Sequence, residues 1–117
     1  MNVKECYDLI RGDYEDVRRR FISDNRITRF ALLFLKDDSM DGLRKAMEEE
    51  NCELAFQAAH TLKGVCLNLG LTGLSEPVRS VTELLRSGDL ENARREMLWL
   101  ERVYTETYEG LKALERS

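Results

Sequence analysis

Apolar residues recur at alternating spacings of three and four along almost the whole chain, and the alternation typical of a β-strand is absent. The clearest stripe runs from Leu90 to Leu114 and predicts one final helix about 40 Å long, since each helical residue adds about 1.5 Å. Its members form the seam expected between packed helices: Leu90, Ala93, Met97, Leu100, Tyr104, Thr107, Leu111 and Leu114.

Shorter stripes upstream predict a series of earlier helices. The first covers Val3 to Ile10 and is expected to end at Gly12, and a later, longer one is expected to end at Gly70. The run Ser87-Gly88-Asp89 places a glycine past one helix end and an aspartate at the head of the next. Inward-facing positions of these helices are expected at Tyr14, Val17, Phe21, Ile27, Phe30, Ala31, Phe34, Met40, Leu43, Met47, Leu74, Val78, Val81 and Leu85.

Two helix starts are less sharply marked than the others. Asp24 and Asn25 are the candidates for capping the helix that follows them. Further along, Pro77 restricts where the next helix begins, because proline is comfortable only in a first turn. Ser75 and Thr72 are the alternatives for that cap.

Length and composition favour a single helical domain. The 117 residues suffice for one core, and one proline with seven glycines leaves few places for strands to begin. Because short connections make neighbouring helices antiparallel, we expect residues 1–117 to form one all-α domain. The helices from Ile27 and from about Met40 onward are expected to close into an up-down four-helix bundle, with the two short N-terminal helices capping one end. The start at Met1 and the end after Leu114 favour a free-standing protein.

Charge and cysteine content exclude several classes of protein. The net charge of -4 argues against nucleic-acid binding, and the basic run Arg18 to Arg20 is interpreted as a solvated helix face. Cys6, Cys52 and Cys66 are odd in number and lack the spacing of zinc sites or disulfide frameworks, which indicates a reducing compartment. No apolar run is long enough to span a membrane or to form a signal peptide. We therefore expect a cytoplasmic protein.

His60 is the only histidine, and it stands in the run from Ala59 to Gly64, AHTLKG. At about 100° per residue, the apolar stripe of this helix lies on the opposite side from the imidazole, which is therefore predicted to face water. A neutral imidazole nitrogen can act at neutral pH as a nucleophile, a general base or a metal ligand. A metal site would need more ligands on this face, and a hydrolytic triad would need a nearby hydroxyl or thiol with an orienting acid.

The neighbours of His60 at helical spacing narrow these choices. Phe56 and Leu67 lie too far around the helix to join the core and are predicted, with Gln57, to form a docking rim; scattered surface hydrophobes are the alternative. Gly64 costs about 1 kcal/mol relative to alanine in a helix interior, so we expect it to leave room for a bulky group; a tight helix crossing is the weaker alternative. Lys63 carries a compact charge suited to a phosphoryl group.

The run AHTLKG, followed by Leu69 and Gly70, resembles the phosphoacceptor motif of histidine-containing phosphotransfer (HPt) domains, as do the helix order and the long last helix. The resemblance implies that His60 is the phosphoacceptor, Lys63 the phosphate-stabilising cation and Gly64 the access residue. It also implies a phosphorelay carrier that moves a phosphoryl group between receiver-domain aspartates, with Mg²⁺ on the receiver, no cofactor of its own and no ATP site. A monomer is expected.

This chain departs from the family pattern after the glycine, where Val65 and Cys66 replace the small or hydroxyl residues often found there. Some relatives also place a polar side chain from the neighbouring helix near the imidazole, and neither Thr82 nor Arg86 can be assigned to that role. Two alternatives stay open: a binding module that regulates a kinase or receiver without carrying phosphate, and a fragment of a larger hybrid or chemotaxis-type kinase.

Overall fold

The structure is a computed structural model that describes residues 1–117, and it contains helices and no strands. The all-α class predicted from the apolar spacing is therefore confirmed. The elements are α1 (Val3–Leu9), α2 (Tyr14–Phe21), α3 (Asp24–Leu33), a 3₁₀ helix (Phe34–Lys36), α4 (Ser39–Glu48), α5 (Cys52–Asn68), α6 (Thr72–Arg86) and α7 (Leu90–Glu115).

The four C-terminal helices pack in chain order, α4 on α5, α5 on α6 and α6 on α7. Two ion pairs join α4 and the turn after it to α7: Arg44 Nη2 lies 2.7 Å from Glu101 Oε1, and Arg94 Nη2 lies 3.3 Å from Glu50 Oε1. The later residue of the α4 segment pairs with the earlier residue of α7, so these two helices run in opposite directions. The Cys52 thiol donates to the Leu85 carbonyl at 3.4 Å, which places the start of α5 beside the end of α6.

The N-terminal helices lie over the turn between α5 and α6. The Tyr7 hydroxyl donates to the Leu69 carbonyl at 2.6 Å, and the Asp13 amide donates to the Gly70 carbonyl at 2.8 Å. The Gly73 amide donates to the Arg11 carbonyl at 3.0 Å, which fixes the first turn of α6 to the end of α1. The end of α5 is therefore held by the N-terminal part of the chain.

Two of the predicted helix stops are confirmed. Gly70 has φ +64°, and the following amide, of Leu71, donates back to the Cys66 carbonyl at 2.9 Å, which closes α5 in a left-handed glycine cap. Gly88 has φ +79° and closes α6. Asp89 then caps α7 by accepting from the Asn92 amide at 3.1 Å.

The end of α1 was predicted at Gly12, and that prediction is wrong in its detail. Arg11, with φ 59°, takes the left-handed position after α1, and Gly12 follows it. Gly12 is needed for a different reason: a Cβ there would lie 2.5 Å from Cδ2 of Tyr7. The ring of Tyr7 is buried and cannot move aside without loss of core packing.

Both uncertain helix starts also differ from the prediction. Ser23, rather than Asp24 or Asn25, caps α3 by accepting from the Arg26 amide at 3.2 Å. Helix α6 begins at Thr72, after Leu71, and no side chain caps it. Ser75 lies inside the helix and Pro77 is in its second turn. The reason is tertiary, since the first turn of α6 is held by α1 and Pro77 itself is buried.

The predicted inner faces hold with a few exceptions. Phe30 is 37% exposed and stacks on Phe21 at a centroid distance of 5.0 Å, so its predicted place in the core is wrong. Helix α3 is peripheral, and Ile27 and Ala31 supply its buried side. The seam of α7 is buried at Ala93, Met97, Leu100, Thr107, Leu111 and Leu114, joined by Val103 and Gly110, whereas Leu90 and Tyr104 are only half-buried.

Candidate functional site

Helix α5 carries the candidate site and is well defined at its start. The side chain of Asn51 accepts from the Leu54 amide at 3.1 Å and so caps the helix. Four small or apolar side chains are buried on the inner face, whereas His60, Gly64 and Leu67 are exposed on the outer one. The orientation predicted for the helix is confirmed. The buried residues are Ala55, Ala59, Leu62 and Cys66.

The imidazole of His60 is exposed and has one aromatic neighbour. Its ring is stacked on Phe56, with ring centroids 5.8 Å apart and ring planes 12° apart. No hydrogen bond or ion pair within the chain involves the ring of His60. Both imidazole nitrogens are therefore free to meet a group from another molecule.

Gly64 lies one helical turn beyond His60 and faces open space. A Cβ built at this position would have no neighbouring atom within 4 Å. The alternative of a tight helix crossing at this glycine is therefore excluded. An absent side chain beside an exposed imidazole leaves a clear approach on that side.

Lys63 is half-buried, and its ammonium has no ion-pair or hydrogen-bond partner within the chain. This is the behaviour of a lysine whose aliphatic stem lies on the protein surface while its charged head stays in water. The free charge is three residues from His60 on the same helix, within reach of a group bound there.

The predicted rim is only partly exposed. Leu67 is 57% exposed and Gln57 is exposed, as expected. Phe56 is half-buried and packs against the core, so the prediction that it lies too far around the helix to join the core is wrong. Its ring is long enough to reach from the surface of α5 to α6, where the guanidinium of Arg86 lies 4.9 Å from the ring centroid.

The two candidates for a polar partner on α6 do not bond to the imidazole. Thr82 is buried and donates its hydroxyl proton to the Val78 carbonyl at 2.6 Å. Arg86 lies over Phe56 and bonds to Glu83 on its own helix at 3.2 Å. The position of Arg86 over Phe56 could not be predicted from the sequence, because the register between α5 and α6 is a tertiary property with no local signal.

The cysteines do not contribute a second reactive group at this site. Burial raises the pKa of the Cys66 thiol to about 12 and that of the Cys6 thiol to about 11, so both stay protonated at neutral pH. All three thiols are free. No group of three or more His, Cys, Asp or Glu side chains is arranged to hold a metal ion.

The family model described as Hpt domain matches residues 36–114, which is well over half of the chain. The chain belongs to the Hpt domain family. Hpt domains are histidine phosphotransfer carriers of two-component signalling and interact with receiver domains. The matched segment runs from the end of the 3₁₀ helix into the last turn of α7 and contains His60, Lys63 and Gly64. Helices α1 to α3 lie outside it.

No curated protein and no solved structure matches this Hpt domain. Among its helices, none combines the length and the apolar character that crossing a membrane requires.

Proposed function

We propose that this Hpt domain is a phosphorelay intermediate in which His60 takes a phosphoryl group from an aspartate of one receiver domain and passes it to an aspartate of another. The observation that carries the proposal is an exposed imidazole without internal partners, beside a helix position that is open to solvent. A reactant carried on a side chain needs this freedom, because two different partners must reach it in turn.

The chemical step is a direct exchange of bonds at phosphorus. An unprotonated nitrogen of His60 forms the P–N bond as the P–O bond of the aspartyl phosphate breaks, and the bonding electrons leave with the aspartate carboxylate. The next receiver reverses the step: its carboxylate oxygen forms the new P–O bond, and the P–N electrons return to the imidazole. The transition state of such transfers is loose, so positioning and charge neutralisation supply most of the rate.

The positions of the neighbouring residues support a role for each of them in this transfer. The unpaired ammonium of Lys63 stabilises the charge on the phosphoryl oxygens, and the open position at Gly64 admits the partner's reacting loop. Gln57 and Leu67 form the rim on which the receiver docks, whereas Phe56 is half-buried against the core. The receiver brings its aspartate and its Mg²⁺. This chain acts as a stoichiometric carrier, with no ATP site and no cofactor of its own.

The proposed architecture supports that role. We take α4 to α7 as an antiparallel up-down four-helix bundle, with the N-terminal helices capping the end where α5 turns into α6, and residues 1–117 as one domain. The ion pairs between α4 and α7 and the continuous 28-residue core support this description. A monomer in the cytoplasm is the proposed state, and the three free thiols support a reducing compartment.

Labelling by a phosphorylated receiver domain tests the proposal. The protein is mixed with a receiver carrying radioactive phosphate, and the label is expected to appear on the protein as an acid-labile species. His60→Gln should abolish it, whereas Glu53→Gln, an exposed polar change on the same helix, should retain it. Full labelling of His60→Gln would refute the assignment.

A second experiment tests access at Gly64. Gly64→Gln is expected to slow transfer by about 10- to 100-fold, because a long side chain misplaces the partner at the reacting nitrogen. Gly42→Gln is the matched control, since Gly42 is also an exposed helical glycine and a Cβ there meets only Ala58, at 3.9 Å. Helicity should be unchanged in both variants. Equal transfer rates in the two would contradict the access role.

A further inference from the structure

Three side chains from two helices form a stack that ends at the exposed histidine. The His60 ring is stacked on Phe56 at a centroid distance of 5.8 Å, and the guanidinium of Arg86 lies 4.9 Å from the Phe56 centroid. Arg86 is in turn held by Glu83, with 3.2 Å between Nε and Oε2. The stack therefore connects the reacting helix α5 to the end of α6.

Stacking restrains the imidazole in a way that hydrogen bonding cannot. An exposed histidine on a helix otherwise moves among several side-chain rotamers. A hydrogen bond to a neighbour would restrain it but would occupy one ring nitrogen. The lone pair of one imidazole nitrogen and the N–H bond of the other both lie in the plane of the ring, so a ring packed against its face leaves both nitrogens uncovered. The arrangement therefore orients His60 without using either of its reactive atoms.

We propose that Phe56 is a positioning residue for phosphoryl transfer through His60, and that Arg86 acts through Phe56. The inference rests on the proposed role of His60 as phosphoacceptor. Aromatic pairs contribute a stabilisation equivalent to about a 2- to 12-fold change in an equilibrium or rate constant. A loss of that order is expected in the transfer step when the stack is removed.

The charges near the stack assign different roles to Arg86, which is part of the stack, and to Lys63, which is not. The guanidinium of Arg86 lies over an aromatic face and is paired with Glu83, so its charge is partly neutralised where it is. Lys63 has no such partner and stays free to meet a phosphoryl group. Arg86 thus holds the Phe56 ring, and Lys63 remains the cation of the reaction.

Two substitutions at Phe56 test the stack. Phe56→Leu removes the ring and Phe56→Tyr keeps it; Leu54→Ala, an exposed apolar change on the same helix, is the control. The first readout is the upfield ring-current shift of the His60 imidazole protons in the NMR spectrum. It should vanish in Phe56→Leu and persist in the other two variants. This readout requires no phosphorylation.

The second readout separates positioning from docking. With a phosphorylated receiver as donor, Phe56→Leu should lower the transfer rate at saturating receiver by about 2- to 12-fold and leave the half-saturating receiver concentration almost unchanged. Phe56→Tyr should restore the rate. A change confined to the half-saturating concentration would overturn the proposal, since Phe56 would then act only in docking. A ring-current shift that survives Phe56→Leu would also overturn it.

A double-mutant cycle tests the role of Arg86. Arg86→Met should slow transfer in the unsubstituted background and have no further effect beside Phe56→Leu. Equal slowing in both backgrounds would show that Arg86 acts on its own and would overturn that part of the inference. Absence of label on the unsubstituted protein would refute the proposed function itself, whereas normal labelling with an unchanged rate in Phe56→Leu would refute only the role of the stack.

Discussion

Two glycines six positions apart, one on α5 and one just past its end, have opposite surroundings. Gly70 has φ +64°, and a Cβ there would lie 2.6 Å from Cγ1 of Val17 and 3.2 Å from the Asp13 carbonyl oxygen. Gly64 has no neighbouring atom within 4 Å of its Cβ position. The fold itself requires the first glycine, because both its backbone conformation and its neighbours exclude a side chain. Nothing within the chain requires the second.

The contrast extends to the parts of α5 around each glycine. The end of the helix is anchored by the Tyr7 hydroxyl on the Leu69 carbonyl and by the Asp13 amide on the Gly70 carbonyl. The side chains on the outer face around His60 make no hydrogen bond to another helix. One region therefore supplies rigidity, and the other keeps its chemical groups free for partners. A carrier requires both, since the partner must find the reacting group in a fixed place.

Gly70→Ala should have the largest effect on stability and so gives the first test of this contrast. The left-handed backbone and the overlap with Val17 together predict a loss of about 2–4 kcal/mol in the free energy of unfolding. Urea denaturation monitored by circular dichroism measures it. Gly88→Ala is the matched control, because Gly88 has φ +79° but open surroundings. It should cost about 1 kcal/mol, and a loss as large as that of Gly70→Ala would contradict the packing argument.

The inner face of α5 should make stability sensitive to alkaline pH. Burial raises the pKa of the Cys66 thiol to about 12, while the unfolded chain has a thiol of ordinary pKa. The unfolded state therefore loses its proton first, and stability that is complete at pH 8 should fall as the pH rises above about 9. The expected slope approaches about 1.4 kcal/mol per pH unit for this group.

Unfolding in urea at pH 8 and pH 10 measures that change, with a loss of about 1–2 kcal/mol expected between them from Cys66 alone. Cys66→Ala should weaken the pH dependence without abolishing it, because Cys6 is buried with its pKa raised to about 11. An identical pH dependence in Cys66→Ala and in the unsubstituted protein would show that the inner face of α5 is less well shielded than the structure indicates.

Much of the fold could be predicted from the sequence because apolar spacing and glycine punctuation are local signals. The long stripe of α7 and the glycine stops at Gly70 and Gly88 follow from them. The predictions that failed concern positions where contacts with distant parts of the chain determine the local conformation. Pro77 stands in the second turn of α6 because α1 holds the first, and Arg11 takes a left-handed conformation that glycine would ordinarily supply. Neither the position of Pro77 nor the conformation of Arg11 can be predicted from the neighbouring residues in the sequence.

The candidate site likewise has features that the local sequence predicts and features that depend on tertiary contacts. The outward direction of His60 and Gly64 follows from the 100° turn per residue alone. The stack on Phe56 is only half local, since a spacing of four brings the two rings together but does not predict the burial of Phe56 against the core. The position of Arg86 depends on the register between α5 and α6, which the sequence does not reveal.

Gly64→Ala should have the smallest effect, and its sign is opposite to that of Gly70→Ala. A methyl group at an open helix position adds no contact and restricts the unfolded chain, so the free energy of unfolding should rise by about 0.5–1 kcal/mol. The same urea measurement checks it, with Gly42→Ala as a control in another exposed stretch of helix. A loss of stability in Gly64→Ala would mean that the surroundings of His60 are more crowded than the structure shows. A gain would show that folding alone favours alanine at this position, and the glycine would then have to be explained by what approaches His60 from outside.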